Sequence, residues 1–157
     1  MQERVAVLVN IRSAWNVGSM FRTADAMGIS KLYLVGYTPT PLDETGGYRR
    51  DVAKVALGAE QWIPWEKTKL PGPLITRLKN EGYRIWAVEL STKAVPLPRV
   101  RPRKGERIAL LFGNEVKGLS PALLRRADKV IEIPMHGKKE SLNVAVAFGI
   151  VTHHLSR

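Results

Sequence analysis

The fold this sequence predicts is an α/β, three-layer sandwich with a mostly parallel sheet, and three observations predict it. Short apolar runs rich in branched side chains (VAVLV, KLYLV, RIWAVEL, IALLF and KVIEI) alternate with stretches whose apolar residues recur at helical spacing. Strands separated by helices need crossover connections, which give a parallel sheet with helices on both faces. At 157 residues and 45% hydrophobic composition, the chain is of single-domain size and can bury roughly 68–70% of its unfolded surface. Residues 1–157 therefore read as one domain, with no internal repeat and no linker.

The elements follow in order. Residues 5–9 (VAVLV) read as a first strand buried on both faces. Residues 16–27 place Val17, Met20, Phe21 and Ala24 at helical spacing, and Gly28 supplies the stop. Residues 31–35 (KLYLV) form the second strand. Residues 49–57 read as a helix ending at Gly58, 61–64 as a brief strand, and 73–81 as a helix ending at Gly82. Strand character returns at 84–90 and at 108–112. Ser120 with Pro121 opens a helix over 120–127, 129–133 is a strand, and the last helix is expected to start at Ser141. Residues 93–107 stand apart: Pro96, Pro98 and Pro102 forbid a helix and favour an extended loop carrying six basic residues and one Glu.

Composition narrows the function classes. Lys and Arg number 25 against 14 Asp and Glu, a formal net charge of +11, and such an excess points to a polyanion partner, most economically nucleic acid. With no Cys there is no thiolate metal site or cysteine nucleophile, and three His, two of them adjacent at His153 and His154, make a poor metal set. No metal is expected. No apolar run approaches the ~20 residues that cross a bilayer, and residues 1–12 lack the features of a secretory signal. The expected location is the cytoplasm, with no membrane partner.

The common catalytic signatures fail. No G-x-G-x-x-G follows the first strand, no G-x-S-x-G elbow is present, and the segment 113–120 has Walker A spacing but Leu119 where the phosphate-binding Lys belongs. Three polar clusters remain, each at the carboxyl end of a predicted strand, where open α/β sheets hold ligands. In the first, Asn16 and Arg22 lie six residues apart on one helix, and from spacing alone a helix-capping Asn with a solvated Arg is the plainer account. In the second, Gly113 and Gly118 flank Glu115 in a loop whose glycines admit a ligand to the backbone or simply make a turn. In the third, residues 133–143 lead into a helix apolar nearly all round, which requires burial on most faces, one of which a partner chain could supply. Ser141 is the simple N-cap there, whereas Asn143 in the first turn needs polar partners. His136 reads as a loop residue. The four Trp (Trp15, Trp62, Trp65 and Trp86) read as core by default, with Trp15, beside Asn16, the one that could instead stack on a base.

Together these clusters resemble the three motifs of the SpoU/TrmH family of SPOUT methyltransferases. Residues 16–28 are similar to the first motif, 111–120 to the second and 133–144 to the third, so the resemblance spans nearly the whole chain. It implies transfer of a methyl group from S-adenosylmethionine to a ribose 2′-hydroxyl of RNA, a homodimer, and a C-terminal deep trefoil knot that nothing in the hydropathy pattern announces. By position it implies Leu90, Gly113, Ile133 and Leu142 as cofactor contacts, and Asn16, Arg22, Glu115, Ser141 and Asn143 as the catalytic or RNA-orienting set. A guanidinium resists the role of general base, so Arg22 is expected to clamp the ribose and its phosphate. No extra RNA-binding domain is expected before the first strand or after Arg157. RNA binding is therefore expected from Arg49, Arg50, Arg99, Arg101, Arg103, Lys104, Arg125, Arg126, Lys138 and Lys139, with tRNA favoured over rRNA by family analogy.

Overall fold

Strand β1 (Arg4–Val9) lies in the interior of a seven-stranded sheet in the computed structural model, which describes residues 2–157. It pairs in parallel with β2 (Lys31–Val35) on one side and β6 (Arg107–Phe112) on the other, with Val5 opposite both Lys31 and Ala109. Outward from these run β3 (Trp65–Thr68) beyond β2, and β4 (Tyr83–Val88), β7 (Lys129–Glu132) and the two-residue β5 (Val95–Pro96) beyond β6. The order is β3-β2-β1-β6-β4-β7-β5, and every pairing is parallel.

The strand pleat sends alternate side chains into two cores. Ala6, Leu8, Leu32, Leu34, Leu110, Phe112 and Trp86 face helices α1 (Ala14–Met27), α2 (Arg50–Ala56), α3 (Ala59–Trp62) and α6 (Val144–Leu155). Val5, Val7, Tyr33, Ile85, Ala109 and Leu111 face α4 (Pro71–Asn80) and α5 (Pro121–Arg126). The three layers expected from the sequence are present. Phe112 of the sheet meets Phe148 of α6 at 5.0 Å between ring centroids, tying the last helix to the central strands. Arg4, nearly buried, donates to the Leu155 carbonyl at the carboxyl end of α6, where a cation is favoured by the helix dipole.

Several expectations are corrected. Residues 61–64 are not a strand: α3 ends at Trp62 and the strand begins at Trp65. Trp62 is exposed rather than core, its indole N–H donating to Asp25 at 2.8 Å. Helix α1 is capped by Ser13, whose hydroxyl accepts from the Asn16 N–H, so Asn16 is not the cap. The last helix begins at Val144, not at Ser141. Asn143 caps it, Oδ1 accepting from Ala145 N at 2.9 Å and Val146 N at 3.2 Å, two donors a helix start leaves free. The basic loop is not wholly irregular, since Val95–Pro96 adds an edge strand where Pro96 costs no ladder bond, and Leu97–Arg99 makes a 3₁₀ turn. Among the described residues, no helix is long and apolar enough to cross a membrane.

Candidate active site

A cleft of about 160 Å³ opens where β4, β6 and β7 end. Its walls are the segments leaving those strands, residues 88–90, 112–116 and 132–133 with Met135, closed by residues 140–142 before α6. Leu90, Gly113, Ile133 and Leu142, far apart in sequence, all line it, and so do Glu115 and Ser141. The sheet order explains the convergence: β6, β4 and β7 are neighbours, so three loops distant in sequence leave the sheet side by side.

The loop after β6 is held by its own polar groups. Asn114 Oδ1 accepts from Val116 N at 2.9 Å and Lys117 N at 2.8 Å. A Cβ on Gly113 would lie 2.5 Å from the Gly118 carbonyl carbon and 2.6 Å from the Leu119 nitrogen. Glycine at 113 thus lets the loop close on itself, a different use from the ligand approach its position suggests.

Asn16, Glu115 and Asn143 form one hydrogen-bonded chain across the three motifs. Glu115 accepts from Arg12 N at 3.0 and 3.2 Å, Ser13 N at 3.2 Å and Asn16 Nδ2 at 3.1 Å. Asn16 Oδ1 in turn accepts from Asn143 Nδ2 at 3.1 Å, and Asn143 Oδ1 caps α6. Burial alone would raise the Glu115 carboxyl, but the N–H groups of Arg12, Glu115 itself and Ser13, with the Asn16 amide, hold it below the ordinary carboxylate value. An ionised carboxylate already accepting several bonds is a weak proton acceptor, so its evident work is to fasten the start of α1 to the loop after β6.

Arg22 does not join this chain. It is exposed on α1, roughly 9 Å along the helix from Asn16 and about 120° round it, on a stripe with Trp15 and Ala26. Of the basic residues, Arg50, Arg99, Arg103, Lys104, Lys138 and Lys139 are exposed, whereas Arg49 is paired with Asp51 at 2.6 Å. Arg101 folds back on the protein, donating to the Pro98 carbonyl at 2.9 Å and the Val100 carbonyl at 2.7 Å, with His154 at 3.1 Å. Arg103 and Lys104 precede β6 at its amino end, about 17 Å, one strand length, from the cleft.

Residue patterns alone miss the acidity of the cleft. Glu89, Glu115, Glu132 and Glu140 all line it, in a chain of net charge +11. The ion pairs among the described residues engage Glu3, Asp51, Glu66, Glu81 and Asp128 and none of these four. Glu89 accepts from Leu119 N at 2.9 Å and Leu90 N at 3.0 Å, which fixes it at the cleft wall. The cleft is therefore acidic in a chain that is basic overall. Two strand-end glutamates look like any solvated polar residue until the sheet order puts them side by side.

A parallel sheet with helices on both faces and an acidic cleft at its carboxyl edge defines an α/β ligand-binding domain suited to a small ligand carrying positive charge. The chain belongs to the SpoU rRNA Methylase family, whose model matches residues 3–153. It is 34% identical over 149 residues to a tRNA (guanosine(18)-2′-O)-methyltransferase of Aquifex aeolicus, covering 94% of this chain and 66% of that one. It is 32% identical over 152 residues to a 23S rRNA (guanosine(2553)-2′-O)-methyltransferase of Bacillus subtilis, covering 97% and 57%. Among solved structures, an AdoMet-bound rRNA methyltransferase from Sinorhizobium meliloti superposes with a TM-score of 0.86 at 30% identity, covering 97% of this chain and 55% of that one. The A. aeolicus TrmH/SpoU tRNA modifying enzyme superposes with a TM-score of 0.83 at 29% identity, covering 99% and 75%. The chain spans 57–66% of the length of the curated relatives named here.

Proposed function

We propose that this chain is an S-adenosylmethionine-dependent RNA methyltransferase acting on a ribose 2′-hydroxyl, with tRNA the favoured substrate. The observation that carries it is the convergence of Leu90, Gly113, Ile133 and Leu142 on one cleft, beside Ser141 and Glu115. Among the relatives, guanosine-18 tRNA methyltransferases recur from A. aeolicus, Borreliella burgdorferi and Escherichia coli, which favours tRNA.

The donor set fits the cofactor. Leu90, Ile133 and Leu142 supply apolar walls, and the carboxylates of Glu89 and Glu132, in no ion pair among the described residues, supply a negative field for its sulfonium and ammonium charges. When bound, the cofactor supplies a methyl group made electrophilic by the sulfonium. The chain's own residues exclude water, orient the ribose and stabilise charge developing on the 2′-oxygen. Ser141 offers a hydroxyl at the cleft wall for the ribose. Arg22 clamps the ribose and its phosphate, and its positive charge lowers the cost of removing the hydroxyl proton, which a permanently charged guanidinium does not itself accept.

Arg22 is exposed on α1 and is not among the residues lining the cleft of its own chain, so we assign it to a homodimer. Val146 and Ile150 of α6, 50% and 40% exposed, give that helix an apolar face suited to a second copy. The trefoil knot, the cytoplasmic location and the RNA contacts of Arg49, Arg50, Arg99, Arg101, Arg103, Lys104, Lys138 and Lys139 belong to the same proposal.

The test is transfer of labelled methyl from S-adenosylmethionine to size-fractionated cellular RNA, followed by mapping of the 2′-O-methyl position. Label in the tRNA fraction is the expected result. Label only in rRNA selects the ribosomal alternative, in keeping with the B. subtilis and S. meliloti relatives. No label, with salt-sensitive RNA binding and no cofactor heat in calorimetry, would leave an RNA-binding module of the same fold.

A further inference from the structure

We infer that Tyr37 is the platform on which a base of the substrate RNA stacks beside the cleft, an inference that rests on the RNA-directed function proposed above. A ribose presented to the cleft carries a base that has left its own stack, and an aromatic face is the usual replacement. Among the described residues the cleft offers none: Phe112 is the one aromatic residue lining it, and it is buried in the core. Tyr37, at the carboxyl end of β2, is 57% exposed, and its hydroxyl accepts from Asn114 Nδ2 at 2.9 Å. Asn114 is buried and lines the cleft, so the ring is tethered at the cleft's edge.

The backbone is committed to the same placement. Asn10 adopts φ 54°, a left-handed conformation rare outside glycine, and its Oδ1 accepts from Tyr37 N at 3.2 Å. Gly36, at φ 68°, leaves room for that side chain, since a Cβ there would lie 1.8 Å from Asn10 Oδ1. Asn114 Nδ2 also donates to the Asn10 carbonyl at 2.9 Å, closing a ring of contacts through Asn10, Tyr37 and Asn114. Strain held in place by so many contacts concentrates where a side chain must be preorganised. Trp15, as exposed as Tyr37, has no such tether among the described residues.

The test compares Tyr37→Leu with Tyr37→Phe. Loss of one base–aromatic stack should weaken binding about 5- to 150-fold. Tyr37→Leu should therefore raise KM for RNA, and the Kd of a short fluorescein-labelled single-stranded RNA, by at least ~5-fold. Tyr37→Phe should recover most of that loss, with the calorimetric affinity for S-adenosylmethionine unchanged in both. If Leu binds and turns over RNA like wild type, or if Phe is as impaired as Leu, the platform role is overturned. A parallel fall in cofactor affinity also overturns it, because Tyr37 would then act by holding Asn114. The binding arm needs no turnover: a wild type that moves no methyl but loses RNA affinity only as Leu keeps the platform and removes the methyltransferase reading.

Discussion

The contact between Asn16 and Asn143 fastens the motif that opens α1 to the one that opens α6, and a double-mutant cycle measures it. Asn16→Ala removes a bond to the Glu115 carboxylate, ordinarily ~1.5–3 kcal/mol for a charged partner, and the neutral bond to Asn143, ~0.5–1.5 kcal/mol. Glu115 keeps its N–H donors from Arg12 and Ser13, which puts the first term at the lower end, so the single loss should be about 2.5 kcal/mol. Asn143→Ala removes the α6 cap, typically ~1 kcal/mol, and the same shared bond, for about 2 kcal/mol. Summing the two counts the shared bond twice. The double mutant should therefore lose about 3.5 kcal/mol, with a coupling near 1 kcal/mol. Urea denaturation of the four proteins at one fixed concentration reads these differences from the midpoints. Additivity to within ~0.3 kcal/mol would show that the hydrogen-bonded chain does not act as a unit, and would remove the reason for treating Asn16 as a positioning residue.

Arg22→Ala should cut methyl transfer at least ~100-fold while the cofactor Kd and the dimer persist, and transfer at the wild-type rate would contradict the clamp role. Glu132→Gln should weaken S-adenosylmethionine more than S-adenosylhomocysteine, by about fivefold in the calorimetric ratio, because only the former carries the sulfonium charge; an unchanged ratio would mean the carboxylate does not sense it. Because the folded Glu115 carboxyl lies below its ordinary value of 4.5, the stability it contributes is present above that value and is lost as pH falls through the folded pKa. Glu115→Gln should flatten that part of the acid limb in chemical denaturation, and an identical limb in both proteins would count against it. Reversing Arg99, Arg103 and Lys104 to Glu should weaken RNA binding and lower the magnitude of its log–log salt slope by about one for each phosphate no longer neutralised, leaving cofactor affinity alone; an unchanged slope would mean that the end of the sheet remote from the cleft does not meet RNA.

Strand positions were legible because the central strands of a parallel sheet are apolar on both faces, and β1, β2 and β6 advertise this in VAVLV, KLYLV and IALLF. β3 was not, because an edge strand reading WEKT is half polar and only four residues long, so the expected strand, 61–64, falls four residues too early. The start of α6 misled for another reason: Ser141 and Asn143 are both good caps by composition. Only the two N–H groups that reach Asn143 Oδ1 decide between them. The motifs located the loops of the site, yet they do not tell which residues touch ligand and which tie one loop to another. Asn16 and Glu115 read as chemistry and lie in the structure as fasteners.

Charge shows the same division between what composition reveals and what folding adds. A surplus of eleven positive charges suggests a uniformly basic RNA-binding surface, but the fold gathers four glutamates at one cleft and leaves Arg12, Lys117, Lys138 and Lys139 exposed on segments that border it. An acidic cleft attracts a cationic cofactor and repels phosphate; basic flanks attract phosphate and repel the cofactor. On the function proposed above, the two ligands would thereby be sorted before any specific contact forms, with the RNA backbone held at the edge and only an uncharged ribose free to enter. Glu132→Gln and Lys138→Glu should accordingly fail in opposite ways, the first in cofactor affinity with RNA binding intact, the second in RNA binding with cofactor affinity intact. If either substitution moved both affinities together, the charge would be acting on the fold and not on the ligands.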